Sequence, residues 1–329
     1  MNLIDLIALV LTLLFQFYLF TNGQERNRIF IKFCSIFVYL GLFIFLIIIV
    51  SENLNDLIKS LTLSTTTVNF IAKKNILPLI SITGTMFAYF SILILTFGDF
   101  SRYAKNINEM KKGNLSLIIN LIIFSILSIL IVIGSDIILT KKNITIDKLL
   151  INPNDIIGMM DNTFLTVIAL FFIIASSLST NLIANYVPSQ NTLINFLPND
   201  LNLKKAGLLI IFVGLIIGIF WLSVFSQIGI FNFVNIITAF FGPIFGVIVC
   251  DFYLIKNENI NHKELFYPTE TTEYIYSGGW NHKGSYSILI GFIFSASTLL
   301  NNSLNSFQSF AWIIGAFVSF VLYYLLNNE

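Results

Sequence analysis

Residues 163–188 read TFLTVIALFFIIASSLSTNLIANYVP, and the reading of this stretch decides the fold. About 20 consecutive apolar residues cross a bilayer as a helix, so the stretch is long enough to span one. Its second half nevertheless carries Ser176, Ser177, Ser179, Thr180, Asn181 and Asn185. Polar side chains at membrane depth are costly, and they face a protein interior or a water-filled cavity. At roughly 100° per residue, Ser176, Ser179 and Thr180 share one face of such a helix, and Asn181 and Asn185 share another. The first face offers hydroxyl oxygens to a small cation, and the second offers amides to a polar ligand. Isolated hydroxyls in membrane helices return hydrogen bonds to their own backbone, and single Asn residues bridge neighbouring helices. A cluster this dense points instead to a binding helix, with Pro188 expected to end it.

Composition places that helix in a membrane. Of 329 residues, 56% are hydrophobic and only 11% charged, with a mean hydropathy of +0.86. Soluble globular chains carry about 25% charged residues. The fold class is therefore an all-α polytopic membrane protein, and a net charge of +1 gives no reason to expect a nucleic-acid partner. Cys34 and Cys250 both lie in apolar runs, so no disulfide framework is implied. The opening MNLIDLIALVLTLLFQFYLF lacks a basic n-region and runs too long for a signal-peptide core, so it reads as a span.

Nine apolar segments follow along the chain, at about 3–22, 29–50, 77–97, 114–135, 163–187, 206–226, 231–255, 285–301 and 308–327. Hydrocarbon offers no partner to an unpaired backbone group, and no strand-like alternation is present, so all nine are expected to be helices. With the loop after the first span placed inside, twelve Lys and Arg residues fall inside and six outside, accounting for all 18. The positive-inside rule supports that orientation. It puts the C-terminus in the cytoplasm and Met1 outside, which predicts an odd number of further helices before Met1. Asp99 and Arg102, at i, i+3 after the third apolar segment, are expected to form an ion pair that anchors a helix end. A short helix is expected over 154–160, and Gly242-Pro243 with Gly246 is expected to kink or break the span 231–255.

Several chemistries find no support. Both histidines, His262 and His282, fall in one loop between spans, so no intramembrane Ser–His pair is available. No paired-aspartate motif lies at a membrane face to hold magnesium-diphosphate, and no GxxxxGK[ST] loop is present. The chain reads as a non-enzyme without a cofactor.

Three blocks together resemble the nucleobase:cation symporter-1 family, permeases for cytosine, uracil, allantoin, hydantoins, thiamine and related compounds. GDFSRYAKN at 98–106 resembles the end of the family's sixth helix, and STNLIANYVPSQN at 179–191 its eighth. GPIFGVIVCDFYLIKN followed by YIYSGGWNHKGSY resembles the tenth helix and the loop before the eleventh. The resemblance implies nine helices of a twelve-helix, five-plus-five inverted-repeat fold that lacks its first three. Residues 1–50 would close the first repeat, 77–255 form the second, and 285–327 supply two additional helices of one domain, 1–329. It implies a secondary active transporter of the bacterial inner membrane, monomeric when full length, importing a nucleobase-like heterocycle with Na⁺ or H⁺. By the same resemblance, the Ser176 carbonyl and the Ser179 and Thr180 hydroxyls would hold sodium. Asn185, with Asn181 beside it, would hydrogen-bond the heterocycle. Phe90 would stack on it where many members have Trp, with Phe87 and Tyr89 as the alternatives in a shifted register. Thr96 stands where the family motif has Asn. An inactive truncated remnant and an amino-acid transporter of the same fold are the competing readings.

Overall fold

The computed structural model describes residues 2–21, 24–67, 73–141, 163–221, 227, 229–266 and 272–328. The helix expected over 154–160 lies outside them. Among the described residues twelve α-helices follow one another: α1 Leu3–Thr21, α2 Gln24–Thr67, α3 Lys73–Leu95, α4 Phe97–Ser101, α5 Ile107–Lys141, α6 Thr163–Asn181, α7 Val187–Phe196, α8 Leu203–Phe220, α9 Ile230–Cys250, α10 His262–Phe266, α11 His282–Leu300 and α12 Ala311–Asn328. Among the described residues nine stretches are long and apolar enough to cross a membrane, in step with the nine apolar segments of the sequence. The protein is an integral membrane protein of all-α class.

The chain forms two compact units. The first comprises 1–69 and 99–219, the second 70–98 and 220–329.

In the first unit α2 packs on α5 and α6. Leu57 and Ile131 are buried at the α2–α5 seam among Leu42, Phe45, Leu130 and Ile137. Tyr39 Oη donates to Asn120 Oδ1 across the same seam at 2.7 Å. The Phe37 and Phe172 rings lie 4.2 Å apart between α2 and α6. At Asn53 α2 leaves helical geometry, with φ −136°. There Lys141 Nζ, at the end of α5, donates to Asn53 Oδ1 at 2.7 Å and pairs with Asp56 Oδ2 at 2.6 Å. The Lys141 hydrogen bond and charge hold the Asp56 carboxyl below its ordinary range. That pairing stabilises the fold at neutral pH and is lost as pH falls through the lowered value.

The second unit is built on closeness of backbone. Helix α9 runs from Ile230 to Cys250 with Pro243 inside it, so the span is not broken at Gly242-Pro243. The glycines serve another end. A Cβ on Gly242 would collide with the Trp312 carbonyl, and one on Gly246 with the Ala316 carbonyl and Ser319 Oγ. Helices α9 and α12 therefore meet at backbone distance, which small residues permit in a membrane where no hydrophobic force draws helices together. Pro243 removes one helical N–H and is fully buried against Gly315. The Ser319 hydroxyl lies 2.8 Å from the Pro243 carbonyl, which it can reach as donor. Helix α11 joins the pair: Ser295 Oγ donates to Ala311 O at 2.7 Å, and Phe240 stacks on Phe292 at 3.8 Å. At one end of this block, Tyr323 Oη donates to Asp251 Oδ1 at 2.8 Å and accepts from Asn281 Nδ2 at 3.0 Å. Asn281 also caps α11 through Gly284 N. The turn before it needs positive φ at Tyr276, Gly278 and Gly279, two of them residues without a Cβ penalty.

Candidate functional site

The polar residues of 163–188 lie in the first unit, on α6 and the turn that follows. Ser179 is 8% exposed, and its hydroxyl donates to the Ser176 carbonyl at 3.1 Å. That bond uses the one hydroxyl proton and leaves the Ser179 lone pairs as acceptors. Thr180 is exposed beside it, and Ser176 half-buried one turn earlier. The edge so formed presents oxygen atoms without a fixed positive charge, which suits an alkali cation. Asn185 is exposed and donates from Nδ2 to Asn181 Oδ1 at 2.6 Å. The amides are thereby ordered as a pair, with the Asn185 carbonyl and the second Asn181 edge open to a planar ligand carrying N–H and C=O groups.

Pro188 does not end this helix. Residues Leu182–Tyr186 form a π-turn, closed by Val187 N–H to the Leu182 carbonyl, and α7 then continues to Phe196. Asn191 and Asn195, which follow Pro188, are helical as a result. The physical reason lies in proline itself. A proline within an α-helix lacks the N–H for its i−4 bond, and its ring presses on that carbonyl. Widening the preceding turn makes Pro188 a second residue of a new helix, where the N–H would have no intrahelical partner anyway.

The π-turn is held on its far side. Tyr186 is 3% exposed, with its ring 4.8 Å from that of Phe20 on α1. A Cβ on Gly207 of α8 would lie 2.5 Å from Tyr186 Oη, so a larger residue there would displace the tyrosine hydroxyl. One turn on, buried Gln190 donates from Nε2 to the Leu203 carbonyl. Asn191 then donates from Nδ2 to Asp99 Oδ1 at 2.8 Å, the same oxygen that Arg102 Nη2 meets at 2.5 Å. Two of the sequence blocks are thus in contact, GDFSRYAKN through Asp99 and STNLIANYVPSQN through Asn191. The sequence pointed to both blocks, yet it carried no sign of this bond between them.

Phe90 belongs to α3 in the second unit. It is half-buried, with its ring edge-on to Tyr89 at 5.2 Å. Phe87 stacks toward Trp312 at 6.1 Å, and Tyr89 is exposed.

The model of the family described as "Permease for cytosine/purines, uracil, thiamine, allantoin" matches residues 1–326. The chain belongs to that family. Among curated proteins, the chain is similar to the allantoin permease of Bacillus subtilis (strain 168), 25% identical over 249 residues, covering 74% of this chain and 48% of that permease. It is likewise similar to the purine-uracil permease NCS1 of Arabidopsis thaliana, 25% identical over 255 residues, covering 74% of this chain and 41% of that protein. The chain spans about half the length of the curated relatives it matches. No solved structure shows a significant match.

Proposed function

We propose that the protein is a secondary transporter that carries a nucleobase or related heterocycle across the plasma membrane, coupled to Na⁺ or H⁺, with its C-terminus in the cytoplasm. Membership of a permease family supports the transport reading, and two relatives are named for allantoin and for purine and uracil. The observation that carries the site is the ordered amide pair Asn181–Asn185, next to the oxygen edge of Ser176, Ser179 and Thr180. Uracil and cytosine are flat rings, and allantoin is a hydantoin ring with a ureido arm; all are edged with N–H and C=O groups, which an Asn amide can meet as donor and acceptor at once. Phe90 is assigned to the stacking face of the ring. A cation on the hydroxyl edge lowers the free energy of the substrate-loaded state, and linkage then couples the two fluxes. Alternating access follows the scheme of inverted-repeat transporters, in which helix groups rock around a midplane site. Asp99 and Arg102 belong to the helix-end framework, and the transporter is assigned as a monomer.

The test is uptake of radiolabelled uracil, cytosine, allantoin and hydantoin into vesicles containing the protein, with and without a sodium gradient. Saturable uptake of at least one compound is expected, faster with sodium outside. Vesicles that accumulate none of the four would overturn the transport reading. Accumulation driven equally by a proton gradient without sodium would reassign the coupling ion.

A further inference from the structure

The hydrogen bond between Asn191 and Asp99 has no part in the reading above. It joins segments 92 positions apart, α4 and the continuation α7 of the polar helix. Its acceptor sits at a special point of the chain, which passes from the second compact unit into the first between Gly98 and Asp99, in the middle of α4. On the near side of that crossing α3 stops at Leu95, and Thr96 closes back on the Ile92 carbonyl with both its N–H and its hydroxyl. A Cβ on Gly98 would meet nothing within 4 Å. On the far side Asp99 is 9% exposed and holds two donors on one oxygen, the guanidinium of Arg102 and the amide of Asn191. The local i,i+3 pair with Arg102 is sufficient to finish a helix end. A second donor from a distant helix adds a different function, because hydrogen bonds to an ionised acceptor are roughly twice as strong as neutral ones and fix position as well.

We propose that Asn191 is a positioning residue that acts through Asp99: its amide clamps the crossing between the two units to the helix bearing Ser179, Thr180, Asn181 and Asn185. Rearrangement at the crossing and movement of that helix then occur together. The inference rests on the transport reading, and it separates binding from turnover along one helix. The candidate ligand contacts lie before or within the π-turn Leu182–Tyr186, and the clamp lies beyond it. Loss of the clamp leaves the ligand contacts intact and uncouples them from the crossing.

In vesicle uptake of radiolabelled allantoin and uracil, Asn191→Ala is expected to lower the maximal rate about tenfold while changing half-saturation by less than about twofold. Asn191→Asp sets a second carboxylate against Asp99 and is expected to be worse. Combining it with Asp99→Asn exchanges amide and carboxylate between the two positions and is expected to recover most of the rate. Hydrogen exchange on the purified proteins supplies a readout independent of transport. Asn191→Ala and Asn191→Asp are expected to speed exchange across 97–106 and 187–196 but not across 282–300, and the exchanged pair is expected to restore protection. An unchanged maximal rate in Asn191→Ala would overturn the proposal, as would an exchanged pair no better than Asn191→Asp alone. A rise in half-saturation at unchanged maximal rate would make Asn191 a ligand contact and equally overturn it. If the unsubstituted protein takes up none of uracil, cytosine, allantoin and hydantoin, the transport reading fails, and the exchange data still decide whether the clamp holds the two segments together.

Discussion

At Thr180 the chemistry is that of a single oxygen. Ser179 has its proton engaged on the Ser176 carbonyl, whereas Thr180 is exposed on the same edge. Removing the Thr180 hydroxyl would take one ligand from the proposed cation site without touching the amide pair. Thr180→Ala is therefore expected to raise the sodium concentration for half-maximal uptake at least about tenfold, with maximal uptake at saturating sodium kept within about twofold. A sodium titration of initial rates measures both, and an unshifted curve would remove Thr180 from the cation site. This much could be read in the sequence because the residues are close together in one helix, where angle follows from count. The contact of Asp99 with Asn191 could not, since no local rule connects positions 92 apart. Both lay in motifs, but a motif marks a residue without naming its partner.

Among the elements, proline is where expectation and structure differ: neither Pro188 nor Pro243 ends its helix. Pro188 and Pro243 both suggested interruption, and both are carried within helical structure. The rule behind the expectation concerns a lone helix, in which the carbonyl left without a donor has nowhere to turn. In a packed bundle a neighbour can bond the backbone beside the proline, as Ser319 of α12 does at the Pro243 carbonyl, or the turn widens, as it does before Pro188. The glycines beside Pro243 then acquire a packing meaning. Gly246→Val would push a branched side chain into the Ala316 carbonyl and force α9 away from α12. Such overpacking costs about 1–3 kcal/mol, and more where backbone must move. Gly246→Val should lower the melting temperature in detergent well beyond Gly98→Ala, whose new methyl meets open space. Equal melting temperatures for the two variants would contradict the close seam.

For the molecule as a whole, the nine spans found among the described residues were legible because a bilayer accepts few structures other than apolar helices. Composition alone then fixes class and count. Orientation rests on charge, with most Lys and Arg in loops assigned to one side. The chain is well suited to a direct test, because Cys34 and Cys250 are buried at 1% and 0% exposure. Their thiols leave little background for an impermeant maleimide. Asn259→Cys, in the exposed segment between α9 and α10, is expected to label only in inside-out vesicles. Ser303→Cys, exposed between α11 and α12, is expected to label only in right-side-out ones. The opposite pattern would invert the assigned topology. The division into two units had no counterpart in the sequence. It depends on which helices pack together, and apolar surfaces of similar composition carry little information about their partners.

The widened turn at Leu182–Tyr186 makes this helix unequally tolerant of changes in length. A π-turn absorbs one residue beyond the α-helical count, so the faces after it are offset by about 100° from those a regular helix would give. Length can be removed there at small cost. Deleting Ala184 in a background of Pro188→Ala should convert the turn to ordinary helix and leave the residues now numbered Gln190 and Asn191 facing Leu203 and Asp99. Adding one alanine after Val187 leaves no second slack turn to take it up, and should rotate both side chains off their acceptors. Hydrogen exchange over 97–106 would tell the variants apart, with protection kept in the deletion and lost in the insertion.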